Sequence, residues 1–208
     1  MSKTIIITGT DTDIGKTIFA AALTRALQAT YWKPVQAGLE NETDSQIVAR
    51  LSRRKTLPET YRLNMPASPH LSAEAEGIMI DTTRLTLPQI SDPLVVEAAG
   101  GLMVPLNRDT LFLDLISQWK APVVLCARTA LGTINHSLLS LAALRHAGCT
   151  VLGVAFIGEA EPDVEHTICD FGQVMRLGRL PMLNTLTPET LSEAFNHGFD
   201  LRNFTSDT

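Results

Sequence analysis

The chain has 208 residues, 45% of them hydrophobic, and its 17 Lys and Arg against 22 Asp and Glu leave a formal net charge of -5. That length suits one domain with a buried core, expected to span residues 1–208. The acidic balance argues against nucleic acid as a partner, since the densest positive cluster is only Arg50, Arg53, Arg54 and Lys55. No secretory leader is expected, no apolar stretch is long enough to span a bilayer, and no membrane partner is expected. Cys126, Cys149 and Cys169 have no paired spacing. They fit a reduced, cytoplasmic protein better than a disulfide or zinc framework.

In chain order, the first predicted strand is Thr4 to Thr8. It runs into T-G-T-D-T-D-I-G-K-T at Thr8 to Thr17, and a helix is predicted from Ile18 to Leu27 with Phe19, Leu23, Ala26 and Leu27 on one face. Strand, glycine-containing loop, Gly-Lys-Thr and helix form the layout of a phosphate-binding P-loop. Polyphosphate needs backbone N–H donors, the positive end of a helix dipole, a lysine and a hydroxyl for Mg²⁺. Gly15 allows close approach, Lys16 brings the charge and Thr17 the hydroxyl. The usual first glycine is displaced, with Thr10 in its place and Gly9 one residue earlier.

A second strand is predicted at Tyr31 to Val35 and a helix at Asp44 to Arg53, with Ile47, Val48 and Leu51 inward. Leu57 to Pro69 is proline-rich and reads as an irregular surface excursion. A short helix follows from Ser68-Pro69-His70 to Glu76, and Leu85 to Ile90 reads as the end of another. Pro93 to Ala98 is an apolar strand ending on Glu97, with Ala99-Gly100-Gly101 as the loop after it. Further helices are predicted at Thr110 to Trp119, Thr133 to His146, Val164 to Val174 and Pro188 to His197. The strands between them are Val123 to Ala127, Val151 to Ile157 and Arg176 to Leu180. Asn203 to Thr208 is expected to be loose.

Short apolar strands alternating with helices imply an α/β fold: one P-loop domain with a mostly parallel central sheet covered by helices on both faces. Ligands bind such sheets outside the carboxyl ends of strands. That places Thr10 to Thr17, Lys33 to Gly38, Glu97 to Gly101 and Ile157 to Glu161 at the site. Lys33, at a strand end before Pro34, is suited to bring a second positive charge to a transferring phosphoryl group. Glu97, behind an apolar run, is suited to Mg²⁺. Asp44 is either a second carboxylate for Mg²⁺ or the N-cap of its helix. Asp11 and Asp13 beside a triphosphate suggest a substrate carrying amines. The five histidines show no metal spacing.

Taken together, these motifs resemble the dethiobiotin synthetase family. The matching stretches are T-G-T-D-T-D-I-G-K-T, W-K-P-V-Q-A-G at Trp32 to Gly38, T-D-S at Thr43 to Ser45 and S-P-H at Ser68 to His70. V-E-A-A-G-G-L-M-V-P at Val96 to Pro105 and L-G-T-I-N-H at Leu131 to His136 complete the set, in family order. The resemblance implies ATP- and Mg²⁺-dependent closure of a ureido ring on 7,8-diaminononanoate. One amine takes up CO₂ as a carbamate, whose oxygen attacks the γ-phosphate of ATP. The second amine then closes the mixed anhydride and releases phosphate. It also implies that Lys16 and Lys33 stabilise the phosphoryl group, and that Thr17, Asp44 and Glu97 hold Mg²⁺. The nucleotide would be lined by Asp13, Ile14, Gly15, Ile18, Ala98, Ala99, Gly100, Leu180, Pro181 and Met182. Thr12, Ala37 and Asn135 would meet the diamine, Asn135 from the second subunit of a homodimer.

The family pattern is broken at three places. Ala98 replaces a glycine, Ala37 a serine, and Phe156-Ile157-Gly158 stands where many members carry an Asn-Asp that reads adenine. Weaker discrimination of ATP from other nucleoside triphosphates is therefore expected. Rival readings fit less well. A partitioning ATPase carries a lysine where Asp11 stands, a GTPase needs Asn-Lys-x-Asp, and a cobyrinate-type amidotransferase needs an added glutaminase domain. A P-loop small-molecule kinase stays open on motif physics alone.

Overall fold

The computed structural model describes residues 3–205. Its strands are β1 (Thr4–Gly9), β2 (Thr30–Trp32), β3 (Val35–Ala37), β4 (Tyr61–Leu63), β5 (Leu94–Gly101), β6 (Val123–Arg128), β7 (Val151–Ile157) and β8 (Arg176–Leu180). Its helices are α1 (Lys16–Ala26), α2 (Asp44–Ser52), α3 (Pro69–Ala75), α4 (Phe112–Trp119), α5 (Thr133–His146), α6 (Pro162–Gly172), α7 (Pro188–Gly198) and α8 (Arg202–Thr205). Six strands form a sheet in the order β2-β5-β1-β6-β7-β8, and every strand pairing in it is parallel. Helices cover both faces, so the expected α/β architecture is present.

Side-chain alternation explains the layering. Ile5 and Ile7 of β1 pack with Phe19 and Leu23 of α1 and with Leu191 and Phe195 of α7. Ile6, between them, faces the opposite layer with Leu115 and Ile116 of α4. Leu125 and Phe156 pack under α5 and α6 with Leu141 and Ile168. A strand buried on both faces must be apolar at successive positions, which is why β1, β5, β6 and β7 read as continuous Val/Ile/Leu runs. The chain moves outward from β1 to one edge, returns through β5, then passes to β6 on the other side. The crevice at the carboxyl end of β1 is thus the topological switch point where α/β sheets bind ligands.

Several expectations are corrected. The strand predicted at Tyr31 to Val35 is two strands. Pro34 has no N–H to continue the ladder, and β3 leaves the main sheet to pair with β4. That pairing also gives structure to the supposed irregular stretch Leu57 to Pro69, since Tyr61 and Leu63 are buried. Leu85 to Ile90 is not helical. A single 3-10 turn at Thr82–Arg84, capped by Asp81, is followed by extended chain. The β-branched threonines and Pro88 disfavour a longer helix there.

The loop expected at Ala99-Gly100-Gly101 belongs to β5. Ile7 pairs with Glu97 and Gly9 with Gly101, so β5 advances four residues while β1 advances two. The extra residues form a bulge beside the P-loop. Near the C-terminus, Asn203 to Thr205 lie in α8 rather than loose, and Phe204 is fully buried 6.0 Å from the Phe195 ring. Residues 206–208 of that expected tail lie outside the described residues.

Candidate active site

The P-loop crosses from β1 to α1 through a turn that only certain residues permit. Gly15 has φ +92°, and a Cβ there would stand 2.8 Å from Ile157 Cγ2. Gly100, on the bulge of β5, has φ +65°, and a Cβ there would meet Val104 at 2.9 Å and Thr12 Oγ1 at 3.5 Å. Thr12 thus brings the loop against the bulge, and neither glycine of this cradle admits a side chain. α1 begins at Lys16, two residues earlier than expected. Its free N–H groups and dipole point at that cradle.

Lys16 is buried, and its Nζ donates to the Asp11 carbonyl at 2.6 Å, folding the loop over its own lysine. Burial lowers the Lys16 pKa, Glu97 draws it back up and Lys33 lowers it again. Thr17 Oγ1 lies 3.0 Å from Asp44 Oδ1 and 2.9 Å from Glu97 Oε1. Lys33 is only 4% exposed. Its Nζ sits 2.6 Å from Asp44 Oδ2 and 3.2 Å from Glu97 Oε1. Burial opposes the ammonium, but Glu97 and Asp44 together outweigh it and raise its pKa. Asp44 is penalised by burial as well, yet Lys33 and Thr17 hold it below the usual carboxylate range. The charges are buried because they are mutually paired, the only inexpensive way to bury them.

Local sequence explains how each group reaches this point. Breaking the strand at Pro34 leaves Lys33 at the end of β2, beside β5 and pointing to the face that Glu97 shares. Thr43 is the N-cap of α2, accepting from Gln46 N while Gln46 reaches back to Thr43 N. Asp44 is therefore not the cap. It is the first helical residue, with its carboxylate free for Thr17 and Lys33. Gln36 of β3 accepts from Asp44 N at 3.2 Å and fixes the helix start from the other side. Tyr31 OH donates to Glu97 Oε2 at 2.8 Å, and burial together with Glu97 keeps that phenol protonated. Gln36 and Tyr31 escaped sequence reasoning. Tyr31 carried one signal, its position two residues before Lys33 on the same strand, which puts both side chains on one face.

The structure thus gathers Lys16, Thr17, Lys33, Asp44 and Glu97 at one point, with Thr12 and Gly100 opposite. Ala98 points its side chain into the core with Val96, so only its backbone faces the cradle. Ala99 and Ala37 are half-buried nearby on β5 and β3. The donor set fits a hard cation. Two carboxylates and a hydroxyl converge as oxygen donors, and no cluster of three or more His, Cys, Asp or Glu is found among the described residues. Such sparse all-oxygen sets suit Mg²⁺, which keeps waters and takes phosphate oxygens.

A second region lies on the other side of the loop. Asp13, Ile14, Gly15 and Ile18 line a slot of about 280 Å³ with Ile157, Leu180, Pro181 and Met182. No Asn or Gln side chain lines it, and Arg128 and Asp13 are its charged members. The carbonyl of Gly158, at the end of β7, already accepts from Arg179 Nη1 at 2.9 Å, and Arg179 in turn faces the buried Glu165. Asn135 stands apart from both regions. It is exposed in the first turn of α5 and lines a separate cleft of about 710 Å³ with Leu131 and Thr133. Among the described residues no helix is long and apolar enough to cross a membrane, and the three cysteines are free.

A family model described as an AAA domain matches residues 3–190. The ATP-dependent dethiobiotin synthetase BioD of Rhodopseudomonas palustris (strain BisB18) is 57% identical over 209 residues, covering 99% of this chain and 100% of that protein. The enzyme of the same name from Brucella ovis is 58% identical over 207 residues, covering 98% of each. Among solved structures, the septum site-determining protein MinD of Pyrococcus horikoshii, complexed with Mg-ADP, superposes with a TM-score of 0.55 at 16% identity, over 93% of this chain and 86% of that one. A ParA family ATPase from Chlorobium tepidum superposes at 0.51 with 7% identity, over 92% and 97%. Those distant likenesses carry the fold alone. Near-full-length identity of this order, together with the P-loop cradle, places the chain in the ATP-dependent dethiobiotin synthetase family.

Proposed function

We propose that this chain, as one domain, closes the ureido ring of dethiobiotin from 7,8-diaminononanoate, CO₂ and ATP, releasing ADP and phosphate. The single observation that carries the reading is Lys33, an ammonium sealed between Asp44 and Glu97 beside the P-loop. An ammonium fixed there by two carboxylates is suited to stabilise charge on a transferring phosphoryl group.

Each residue has a role that its position supports. One substrate amine loses a proton and bonds to CO₂, giving a carbamate. Thr12, across from Gly100, would meet the amine and its carbamate, whereas Asp13 lines the slot on the other side of the loop. The carbamate oxygen then bonds to the γ-phosphorus as the bond to ADP breaks, and Lys16 and Lys33 hold the charge that develops on that phosphoryl group. The second amine attacks the carbamoyl carbon, and phosphate leaves. Thr17, Asp44 and Glu97 would hold Mg²⁺, which when bound neutralises phosphate charge. The slot beside Ile157 and Met182 would take the base, with nothing in it built to read adenine alone.

A homodimer completes the site in this reading. Leu131 is fully exposed and Leu139 is 62% exposed, and they flank Asn135 at four-residue intervals on one face of α5 and its lead-in. Bare leucines in line with a polar helix start suit coverage by a second copy, whose diamine carboxylate would meet Asn135 and the α5 N–H groups. A cytoplasmic location accords with the ATP requirement.

The test measures phosphate release from ATP with and without diamine and bicarbonate, followed by mass detection of the cyclic urea. Release that depends on both, with the urea formed, is the expected result. Phosphate release indifferent to the diamine would sink the reading and favour a nucleotide switch.

A further inference from the structure

Glu97 has two carboxylate oxygens and they do different work. Oε1 receives Thr17 Oγ1 at 2.9 Å and Lys33 Nζ at 3.2 Å, the groups that face the P-loop. Oε2 receives a single side chain, the Tyr31 hydroxyl at 2.8 Å. Tyr31 is completely buried, and Glu97 is 1% exposed. The ring packs in the core with Ile5, Val48 and Val95. Phenylalanine would serve that packing equally, so the hydroxyl is there for Glu97. Register explains the contact. Tyr31 pairs with Val95 and Trp32 with Val96, so Tyr31 and Lys33 share the face that carries Glu97.

We propose that Tyr31 is a positioning residue of the active site: its hydroxyl holds the rear oxygen of Glu97 and thereby aims the other oxygen at Thr17, Lys33 and the divalent cation. A carboxylate that ligates a metal through one oxygen keeps its angle only if the second is tethered, and loss of such a supporting bond commonly costs metal affinity. The inference rests on the site reading given above, in which Glu97 faces Mg²⁺.

Tyr31→Phe removes one oxygen and keeps the ring. Mn²⁺ binding to the ADP-loaded enzyme is followed by the EPR signal of free Mn²⁺. Tyr31→Phe is expected to weaken Mn²⁺ binding about 10–100-fold. ADP affinity in EDTA and the KM for the diamine stay as in the wild type. Unchanged Mn²⁺ affinity overturns the proposal even if the melting temperature falls, because packing alone moves stability and not metal binding. In a Glu97→Gln background, Tyr31→Phe is expected to add no further loss, and an additive loss also overturns it.

Should Tyr31→Phe not fold, fluorotyrosine labelling of the unmutated protein decides the matter. The chain has 2 tyrosines, and the other, Tyr61, bonds Asp81 away from the site. The Tyr31 fluorine resonance is expected to shift on adding Mg²⁺ and ADP while that of Tyr61 stays. An unmoved Tyr31 resonance refutes the coupling. Mn²⁺ affinity left unchanged by Glu97→Gln brings down the site reading itself, whereas unchanged affinity in Tyr31→Phe alone brings down only this inference.

Discussion

The two flanks of the P-loop are built by opposite means. Toward β2 and β5 lies a saturated ionic cluster, with Lys33, Asp44, Glu97, Thr17 and Tyr31 each bonded to at least one of the others. Toward β7 and β8 lies a mostly apolar slot, and next to its Ile157 the Gly158 carbonyl accepts from Arg179. Buried charges are tolerable only in mutual compensation, so every member of the first flank is fixed by its neighbours. Dispersion contacts in the second are individually small and indifferent to ring identity. One flank should be intolerant of change and the other permissive.

The largest effect should come from Lys33→Ala, which breaks the strict flank. Turnover should fall about 10²–10³-fold, the loss typical of a preorganised charge that acts on the transition state, while ATP affinity changes far less. Steady-state kinetics beside equilibrium nucleotide binding separates the two, and equal losses would mean that Lys33 merely binds. Without Mg²⁺ the variant should also lose about 3–5 kcal/mol of stability, because two carboxylates are left without their cation. Thermal melting with and without Mg²⁺ checks this, and the deficit should shrink when the metal is supplied.

Glu97→Gln should come next. It keeps shape and removes one charge, so the Mg²⁺ concentration for half-maximal rate should rise by about 10–100-fold or more. An unchanged metal dependence would remove Glu97 from the cation site. Asn135→Ala sharpens the contrast from outside both flanks. Diamine KM should rise about tenfold, in line with loss of one hydrogen bond to a charged group, with ATP unaffected. Equal effects on both ligands would refute the cross-subunit role.

The smallest effect tests the permissive flank. With CTP, GTP or UTP competing against ATP, kcat/KM should favour ATP by no more than about tenfold. A site that hydrogen-bonds a distinguishing group rejects analogues by about 10⁴–10⁵. A preference for ATP beyond about 100-fold would show that the slot reads adenine after all.

Much of this could be read from the chain itself. The apolar runs, the Gly-Lys-Thr turn and the strand-end positions of Lys33 and Glu97 are local features, governed by periodicity and by what a phosphate requires of a backbone. They determined the α/β layering, the loop and the charged residues toward the carboxyl ends of the strands. Other features rest on partners distant in sequence. Pro34 alone could not say that β3 would leave the sheet for β4. Thr43 and Gln46 take the cap locally, but that the freed Asp44 carboxylate meets Lys33 and Thr17 depends on strands and helices far along the chain. Tyr31 became part of the site only because β2 lies against β5, bringing together residues 66 apart in the chain. Sequence dictates which groups are available and what local geometry each prefers. Only the folded sheet decides which buried charge meets which donor, because that pairing is a long-range cost and no local pattern encodes it.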